Sequence, residues 1–411
     1  MSRQQHGVTC LVFAAAAAVL YIRLRRAAQT RGEDGSSESE PVPRCIGDGV
    51  LGAIGNTPLV RIASLSAATG CEVYAKAEFC NPGGSVKDRV AVRMLRDALD
   101  SGALRAGGLV TEGTAGSTGI SLALVAPALG VRCHIVMPDD VASEKSATIS
   151  ALGASVQRVR PVSITHPEHF VNVARRLAAE ECSAHGHGAA FFADQFENTS
   201  NYKAHVDTTG PEIWRQTGGK VHAFVAGAGT GGTLAGVASY LKRVSGAKVA
   251  CYLADPPGSG LYNAVMRGVF YDSVEAEGKR LRHPADTIVE GVGINRRTAN
   301  WALCPQLQGA FRVTDAEAVA MARHLRHADG LWVGSSAAVN CVGALRVAQA
   351  LGKGHTIVTV LCDGGSRHVS RFWDDAVLQQ HGLQPPPRGT ELDSLLTHRA
   401  VTQGEVGRAP N

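Results

Sequence analysis

The chain has 411 residues, of which 45% are apolar and 19% charged, so it can bury one large hydrophobic core or two ordinary ones. Its net charge of +5 is modest, and the basic residues are spread out except near the start, which argues against a nucleic-acid-binding protein. Ten cysteines are scattered without a CxxC pair or a zinc-spaced Cys/His cluster, so we expect free thiols in a reducing compartment and no metal site. Cys133, Cys251 and Cys362 lie in apolar runs, where cysteine packs as a small hydrophobe.

The first element is an apolar, alanine-rich segment at residues 7–22, with Arg3 before it and three arginines directly after it. As a helix it would span roughly 24 Å, a little less than a hydrocarbon core of about 30 Å. A cleaved secretory signal, a transit peptide and an uncleaved anchor are the alternatives, and the arginines argue against secretion. We expect residues 1–28 to anchor or target the protein to the mitochondrion, with the outer membrane and a cytosolic body as the expected arrangement.

Low-complexity segments bound the folded part of the chain. Residues 29–44 are rich in Gly, Ser, Glu and Pro and are predicted to form a flexible linker. The body is predicted over residues 45–378. Residues 379–411 are polar, include three consecutive prolines, and are predicted to form a tail without chemistry.

Within the body, short apolar runs rich in β-branched residues alternate with helix-like runs. The predicted strands are residues 72–77, 109–111, 133–137, 155–159, 190–193, 223–226, 249–254 and 357–362. This alternation predicts an α/β fold with mostly parallel strands. Because open α/β sheets bind ligands at the carboxyl ends of their strands, the turns after these strands are the candidate functional segments.

The first such segment, residues 81–89, reads Asn-Pro-Gly-Gly-Ser-Val-Lys-Asp-Arg. Ser85 and Asp88 are spaced as in a capping box, which predicts that a helix begins here. Lys87 would lie in the first turn, where the helix dipole disfavours an ammonium and so favours the neutral amine that a Schiff base requires. From this motif alone, a capped surface helix with a solvated lysine is the alternative.

A second segment, residues 112–119, reads Glu-Gly-Thr-Ala-Gly-Ser-Thr-Gly and precedes an apolar helix predicted over 120–129. Its hydroxyls and the backbone amides at the helix N-terminus suit a carboxylate ligand. Two alternatives stay open. One is a plain capped turn, and the other is a nucleophile elbow centred on Ser117, which lacks the usual first glycine because Ala115 occupies that position.

A third segment, residues 227–233, reads Gly-Ala-Gly-Thr-Gly-Gly-Thr and precedes a helix predicted over 234–242. Backbone amides at such a helix start can surround a phosphate group, and the missing Walker lysine excludes a nucleotide P-loop. The Gly-x-Gly-x-x-Gly spacing, with Asp255 at the end of the next strand, also fits a dinucleotide-binding unit. That alternative leaves the first two segments unexplained.

Two turns near the end complete the set. Residues 334–338 read Gly-Ser-Ser-Ala-Ala before a helix, where a hydroxyl could be a cap or a ligand. Residues 361–367 read Leu-Cys-Asp-Gly-Gly-Ser-Arg at the end of the last strand, and Asp363 could be structural or functional.

Taken in order, these segments resemble the cysteine synthase and cystathionine β-synthase family, the fold-type II enzymes that use pyridoxal phosphate (PLP), over residues 54–373. Residues 55–60 (Gly-Asn-Thr-Pro-Leu-Val) and 208–214 (Thr-Thr-Gly-Pro-Glu-Ile-Trp) match as well. The resemblance implies two interleaved α/β subdomains of the tryptophan synthase β type, with the cofactor between them, and a homodimer.

The resemblance also assigns roles to the matching residues. Lys87 would be the catalytic lysine that holds PLP, and Ser336 would face the pyridine nitrogen. The residues that would hold the cofactor phosphate are Gly229, Thr230, Gly231, Gly232 and Thr233. The residues that would bind the substrate carboxylate are Thr114, Ala115, Gly116, Thr118 and Gln195.

The carboxylate-binding segment departs from the common family form, Thr-Ser-Gly-Asn-Thr. Ala115 and Ser117 replace the serine and the asparagine, and the asparagine usually meets the ring hydroxyl of the cofactor. Ser117 is therefore expected to contact PLP at a position that bears on substrate choice and rate. The variant form and the apolar N-terminal segment resemble a eukaryotic cysteine synthase-like branch that includes mitochondrial, membrane-anchored forms. From the resemblance we do not expect a counterpart of the haem-binding start or of the C-terminal regulatory pair that full-length cystathionine β-synthases have.

The expected reaction is β-replacement, which forms L-cysteine from O-acetylserine and sulfide with Lys87 as the base. A serine or threonine dehydratase and a cystathionine β-synthase-like lyase are alternatives that share the cofactor and the lysine. An NAD-dependent dehydrogenase and a PLP-binding sulfur-sensing or scaffold protein without turnover are alternatives of other classes.

Overall fold

The computed structural model describes residues 47–141, 143–272 and 287–397. The predicted anchor, the predicted linker and the end of the predicted tail lie outside these ranges. Within them, no helix combines the length and the apolarity that crossing a bilayer requires. The eight cysteines in these ranges are free thiols, which confirms that part of the prediction.

The elements are numbered here in chain order. The strands are β1 (Leu59–Arg61), β2 (Glu72–Ala77), β3 (Leu109–Gly113), β4 (Arg132–Pro138), β5 (Ser155–Val159), β6 (Ala190–Phe192), β7 (Ala223–Ala226), β8 (Ala250–Asp255), β9 (Gly309–Arg312) and β10 (Thr356–Leu361). The helices are α1 (Gly49–Gly52), α2 (Ala63–Thr69), α3 (Lys87–Asp100), α4 (Ser117–Ala128), α5 (Ser143–Ala151), α6 (Phe170–His185), α7 (Ser200–Ala204), α8 (Gly210–Gln216), α9 (Gly232–Val244), α10 (Leu261–Arg267), α11 (Ala299–Ala302), α12 (Asp315–Ala328), α13 (Ser335–Leu351), α14 (Asp375–Gln380) and α15 (Glu391–Thr397).

The larger sheet has six strands in the order β1-β2-β10-β7-β8-β9. All neighbours pair in parallel except β1, which runs antiparallel to β2. Successive residues of β7 pack on opposite faces, since Val225 belongs to a core cluster with α13 and Phe224 to another with α9. Both faces of the sheet are thus covered by helices, as parallel sheets require.

The smaller sheet has four parallel strands in the order β5-β4-β3-β6. Its main core packs against α3 and α4, and a smaller cluster packs against α6. The chain enters the larger sheet with β1 and β2, forms the smaller sheet, and returns for β7 to β10. Two mostly parallel α/β sheets were predicted, and this fold class is confirmed.

The predicted strands agree with the structure to within two residues at each end. Two strands, β1 and β9, were not predicted. They are only three and four residues long and lie at the two edges of the larger sheet, so neither offers a run long enough to show a hydrophobic period.

The start of α3 differs in part from its prediction. The helix begins at Lys87, which places the lysine in the first turn as predicted. The capping box of Ser85 and Asp88 was wrong. The Asp88 carboxylate instead accepts hydrogen bonds from the Gly83 backbone N–H and the Ser121 hydroxyl, both at 2.5 Å. It therefore fixes the turn before the helix, while Ser85 Oγ accepts from the Lys87 N–H at 3.2 Å.

The packed body also continues beyond residue 378, where the tail was predicted to begin. Leu395 in α15 is 1% exposed and belongs to the core cluster of the larger sheet. His327 of α12 contacts the Glu391 carboxylate, with 2.7 Å between Nδ1 and Oε1. The boundary at 378 was therefore placed too early for residues up to 397.

Two residues of the motifs that carry the family resemblance, Arg89 and Glu212, lie in a buried ionic cluster with Glu78 and Lys76. Arg89 pairs with Glu78 and with Glu212, each at 2.7 Å, and Lys76 pairs with Glu212 at 2.6 Å. All four side chains are at most 6% exposed. None of the four side chains lines the active-site cavity, so Arg89 and Glu212 hold elements of the fold together and do not form the site.

Candidate active site

A cavity of about 420 Å³ is lined by the turns that follow β3, β7 and β10, so both sheets contribute to it. This volume is in the range of small-ligand pockets. The position at carboxyl ends of parallel strands is the one that the sequence pattern predicted.

The cavity brings nearly all predicted site residues together. Those that line it are Lys87, Thr114, Ala115, Gly116, Ser117, Thr118, Gln195, Gly229, Thr230, Gly231, Thr233 and Ser336. Gly232 is the predicted residue that does not line it.

Lys87 keeps some accessible surface because it faces the cavity, but the surrounding protein still desolvates its amine. This desolvation lowers the pKa of Lys87 and outweighs the opposing effects of Cys362 and Asp363. The neutral amine, which is the nucleophilic and basic form, is therefore favoured. Cys362 was predicted to pack as a small hydrophobe, but its thiol lines the cavity near this amine, and burial raises its pKa to about 11.

Two residues, Trp301 and Asn201, pack unusually close to glycines at the start of α9. Gly231 adopts a φ of +89°, and a Cβ there would lie 2.8 Å from the backbone of Trp301. A Cβ on Gly232 would lie 2.1 Å from Asn201 Oδ1. Asn201 in turn donates to Thr230 Oγ1 at 2.9 Å, so it fixes one of the predicted phosphate-binding hydroxyls. The turn leaves the first backbone amides of α9 available to an anion.

Ser336 lies in the first turn of α13, is buried, and forms a hydrogen bond with Cys362. One turn further along, Asn340 accepts from the Gly227 N–H at 2.6 Å and donates to the Val360 carbonyl at 2.7 Å. Asn340 therefore joins the starts of two turns that line the cavity. It was not predicted, because an asparagine in the middle of an alanine-rich helix carries no local signal of this role.

The predicted carboxylate-binding turn begins α4 at Ser117. The Thr118 hydroxyl donates to Gln195 Oε1 at 2.6 Å, which brings these two predicted substrate residues into contact. Behind them, Glu112 is fully buried, and burial together with Asp194 raises its pKa to about 8. Because Glu112 is neutral at pH 7, it does not place a negative charge behind the turn that is predicted to bind the substrate carboxylate.

Ser117 Oγ accepts a hydrogen bond from Arg367 Nη1 at 3.0 Å. A nucleophile elbow would need a general base at this oxygen, and a guanidinium cannot serve as one. The nucleophile-elbow alternative is therefore wrong.

Charged residues that the sequence pattern did not select also line the cavity. Lys145 pairs with Glu290 at 2.5 Å, and His368 pairs with Asp363 at 3.0 Å. Burial disfavours the charged ring of His368, but Asp363 outweighs this effect and raises its pKa. Asp363 was left open in the sequence, and the structure places it in this pair.

Asp255, the acid of the dinucleotide-binding alternative, is fully buried and does not line the cavity. Its Oδ2 accepts from the Tyr262 N–H at 2.8 Å, and burial raises its pKa to about 7. It therefore caps the start of α10 and does not face a ribose, which contradicts the dinucleotide reading of residues 227–233.

A family model described as pyridoxal-phosphate dependent enzyme matches residues 50–363, which include the cavity-lining turns after β3 and β7 and the start of the turn after β10. The chain belongs to this family of PLP-dependent enzymes. Cysteine synthase 2 of Schizosaccharomyces pombe is 54% identical over 85% of this chain and 89% of that protein. A Saccharomyces cerevisiae protein that carries the provisional name of a mitochondrial cysteine synthase is 53% identical over 82% of this chain and 86% of that protein. The solved structure of an O-acetylserine dependent cystathionine beta-synthase from Helicobacter pylori is similar with a TM-score of 0.67 and 30% identity, covering 78% of this chain and 97% of that chain.

The cavity of this PLP-dependent enzyme fits the cofactor on three grounds. A desolvated lysine amine is available for covalent attachment. The turn at 229–233 leads into the N-terminus of α9, and it packs closely against Trp301 and Asn201 because Gly231 and Gly232 lack a Cβ. Ser336 offers a neutral hydroxyl in the same cavity. These are the groups that a carbonyl, a phosphate and a ring nitrogen require.

Proposed function

We propose that this PLP-dependent enzyme is a cysteine synthase that forms L-cysteine from O-acetylserine and sulfide. The observation that carries the proposal is the desolvated Lys87 amine in a cavity that is also lined by the turns at the N-termini of α4 and α9. Relatives that are 53–54% identical over more than four fifths of the chain are named as cysteine synthases.

The chemistry divides between the cofactor and the chain. PLP, when bound, supplies a carbonyl for amine attachment and an electron sink for the cleavage of bonds at the substrate α-carbon. Lys87 would hold the cofactor, and its neutral Nζ would accept the substrate α-proton, because its lowered pKa favours the neutral form. The overall change replaces acetate by sulfide at the β-carbon of the substrate.

The remaining site residues position the two ligands. Residues 229–233 hold the cofactor phosphate through the backbone amides at the start of α9. Residues 114–118 and Gln195 hold the substrate carboxylate at the start of α4. Ser336 would face the pyridine nitrogen with a hydroxyl. A hydroxyl would not keep that nitrogen protonated as a carboxylate would, which suits elimination better than transamination.

The test is direct product analysis of the full-length protein loaded with PLP. We expect L-cysteine from O-acetylserine and sulfide, and its loss in Lys87→Ala, which also loses the visible absorption of the covalently attached cofactor. Lys220→Ala, which removes an exposed lysine, is the matched control. We expect it to keep cysteine formation and the visible absorption of the attached cofactor. Release of pyruvate without cysteine would instead assign the chain to the dehydratases and contradict the proposal.

A second candidate reaction uses homocysteine in place of sulfide. The similarity to the Helicobacter pylori cystathionine beta-synthase, whose description specifies O-acetylserine, favours including it. The same assay with homocysteine measures cystathionine. A cystathionine rate above the cysteine rate would favour this candidate over cysteine synthase.

The proposed location is the mitochondrion, with residues 1–28 as an anchor in the outer membrane and the body in the cytosol, and the proposed assembly is a homodimer. The name of the Saccharomyces cerevisiae relative supports the mitochondrion, and the arginine-flanked apolar run at 7–22 supports an anchor. Alkaline extraction and protease treatment of intact mitochondria test the anchor. Recovery of the protein in the carbonate-soluble fraction would contradict it.

A further inference from the structure

Arg367 is a cationic side chain of the active-site cavity that has no part in the reaction proposed above. Its Nη1 donates to Ser117 Oγ at 3.0 Å, and its Nη2 donates to the Gly83 carbonyl oxygen. Both acceptors are neutral groups. Arg367 thus contacts the carboxylate-binding turn directly, from a position 250 residues further along the chain.

The charges around Arg367 are otherwise paired. Lys145 pairs with Glu290, and His368 pairs with Asp363, as described for the cavity. In the part of the chain that the structure describes, no carboxylate lies within 4.0 Å of the Arg367 guanidinium. Arg367 and Lys87 are therefore the two lining cations without a close carboxylate, and Lys87 is used by the cofactor.

A partly buried guanidinium without a close anion is costly in free energy. Burial lowers the pKa of Arg367, even though Asp363 and Asp88 act on it from longer range. Asp88 is already occupied by the Gly83 N–H and the Ser121 hydroxyl. An anionic ligand in the cavity would offset this cost, and a guanidinium is the side chain best suited to a carboxylate.

We infer that Arg367 pairs with the carboxylate of the amino-acid substrate and is a substrate-binding residue of this enzyme. Ser117 is the first residue of α4, so the guanidinium and the helix N-terminus lie at the same turn and attract the same anion. The inference rests on the proposed function in that it takes the ligand to be an amino acid.

The test compares two amines that differ only in the carboxylate. The probes are L-alanine, which has no leaving group, and ethylamine, and their binding to the PLP-loaded full-length protein is followed by the change in cofactor absorption. In Arg367→Met we expect the Kd for L-alanine to rise at least tenfold and the Kd for ethylamine to stay within twofold. In steady state, the KM for O-acetylserine rises while kcat changes less.

Two further variants keep the inference falsifiable. Arg132→Met removes an exposed arginine of the smaller sheet and is expected to match the unaltered protein. Arg367→Lys keeps the charge but loses the planar pair of donors. Its affinity for L-alanine should therefore fall between those of the unaltered protein and Arg367→Met. Equal L-alanine affinities in the unaltered protein and either Arg367 variant would overturn the inference. Failure of the proposed function has a different signature, namely normal L-alanine binding without cysteine formation.

Discussion

Gly232 is the predicted cofactor residue that the cavity does not expose, and its position explains why no side chain is tolerated there. It is the first residue of α9, and the space beside its Cα is filled by Asn201. Asn201 fixes Thr230 and also donates to the Gln195 backbone carbonyl at 2.9 Å. The absence of a Cβ at Gly232 therefore maintains the proposed phosphate-binding turn indirectly, through the position of Asn201.

We expect Gly232→Ala to weaken PLP binding at least tenfold, because the added Cβ would displace Asn201 and release the Thr230 hydroxyl. The measurement is equilibrium dialysis of PLP against the variant protein. Gly47→Ala is the control, since a Cβ at Gly47 meets no atom within 4 Å. An unchanged PLP affinity in Gly232→Ala would show that Asn201 does not support the turn.

At the scale of elements, the ionic cluster of Arg89, Glu78, Glu212 and Lys76 connects α3, α8 and β2 with the segment between β2 and α3. Burial alone would raise the pKa of Glu212, but Arg89 and Lys76 outweigh it and lower the pKa from 4.5 to about 2. Because the folded-state pKa lies below the unfolded value, the cluster stabilises the fold above about pH 4.5. This contribution is lost as the pH falls toward 2.

We expect Glu212→Gln to lower the free energy of unfolding at pH 7 by about 3 kcal/mol, since it leaves Lys76 buried without its carboxylate. The variant should also lose part of the stability slope between pH 4.5 and 2 that the unaltered protein shows. Urea titrations at several pH values measure both effects. Glu72→Gln breaks an exposed pair with Arg61 and should cost at most about 1 kcal/mol. If Glu212→Gln and Glu72→Gln lowered the free energy of unfolding equally, the buried cluster would stabilise the fold no more than an exposed ion pair does.

Capping shows what a local sequence pattern can and cannot predict about an element. A Ser/Thr-x-x-acid pattern occurs at Ser85 and again at Thr314, where Glu317 completes it. The box forms at Thr314, whose hydroxyl accepts from the Glu317 N–H, and it does not form at Ser85. At Ser85 the acid is drawn to Gly83 and to Ser121, which lies in a different helix. The helix start was predicted correctly, but the partner of its acid depends on tertiary packing.

At the scale of the whole molecule, the predictable and unpredictable parts of the site separate by distance along the chain. The turns at 112–119 and 227–233 were predictable, because each follows its strand directly and carries its own glycines and hydroxyls. The pairs Ser117–Arg367 and Lys145–Glu290 join positions 250 and 145 residues apart, so no local pattern could reveal them. The charged side chains that line the cavity are therefore brought there by tertiary packing and not by a local sequence motif.

The Lys145–Glu290 pair connects α5, which belongs to the smaller sheet, with the segment that precedes α11 in the larger one. Glu290 also accepts from Arg371 at 2.8 Å, and its N–H donates to Ser335 Oγ at the start of α13 at 3.0 Å. Burial would raise the pKa of Glu290, but Lys145 and His368 outweigh it and lower the pKa to about 2. The ion pair therefore persists at mildly acidic pH and holds α5 against the larger half of the molecule.

We expect Lys145→Met to release α5, because Glu290 keeps Arg371 as a partner while α5 loses this cross-sheet contact. Backbone hydrogen exchange of residues 143–151 should accelerate several-fold. The KM for O-acetylserine should rise more than kcat falls, since Lys145 packs beside Gly116 of the proposed carboxylate-binding turn. Lys248→Met, which removes an exposed lysine of the larger half, is the matched control. The control removes the same charge, so it separates the loss of this ion pair from a general change in net charge. Unchanged hydrogen exchange in α5 together with an unchanged KM in Lys145→Met would mean that other contacts hold α5 against the larger half.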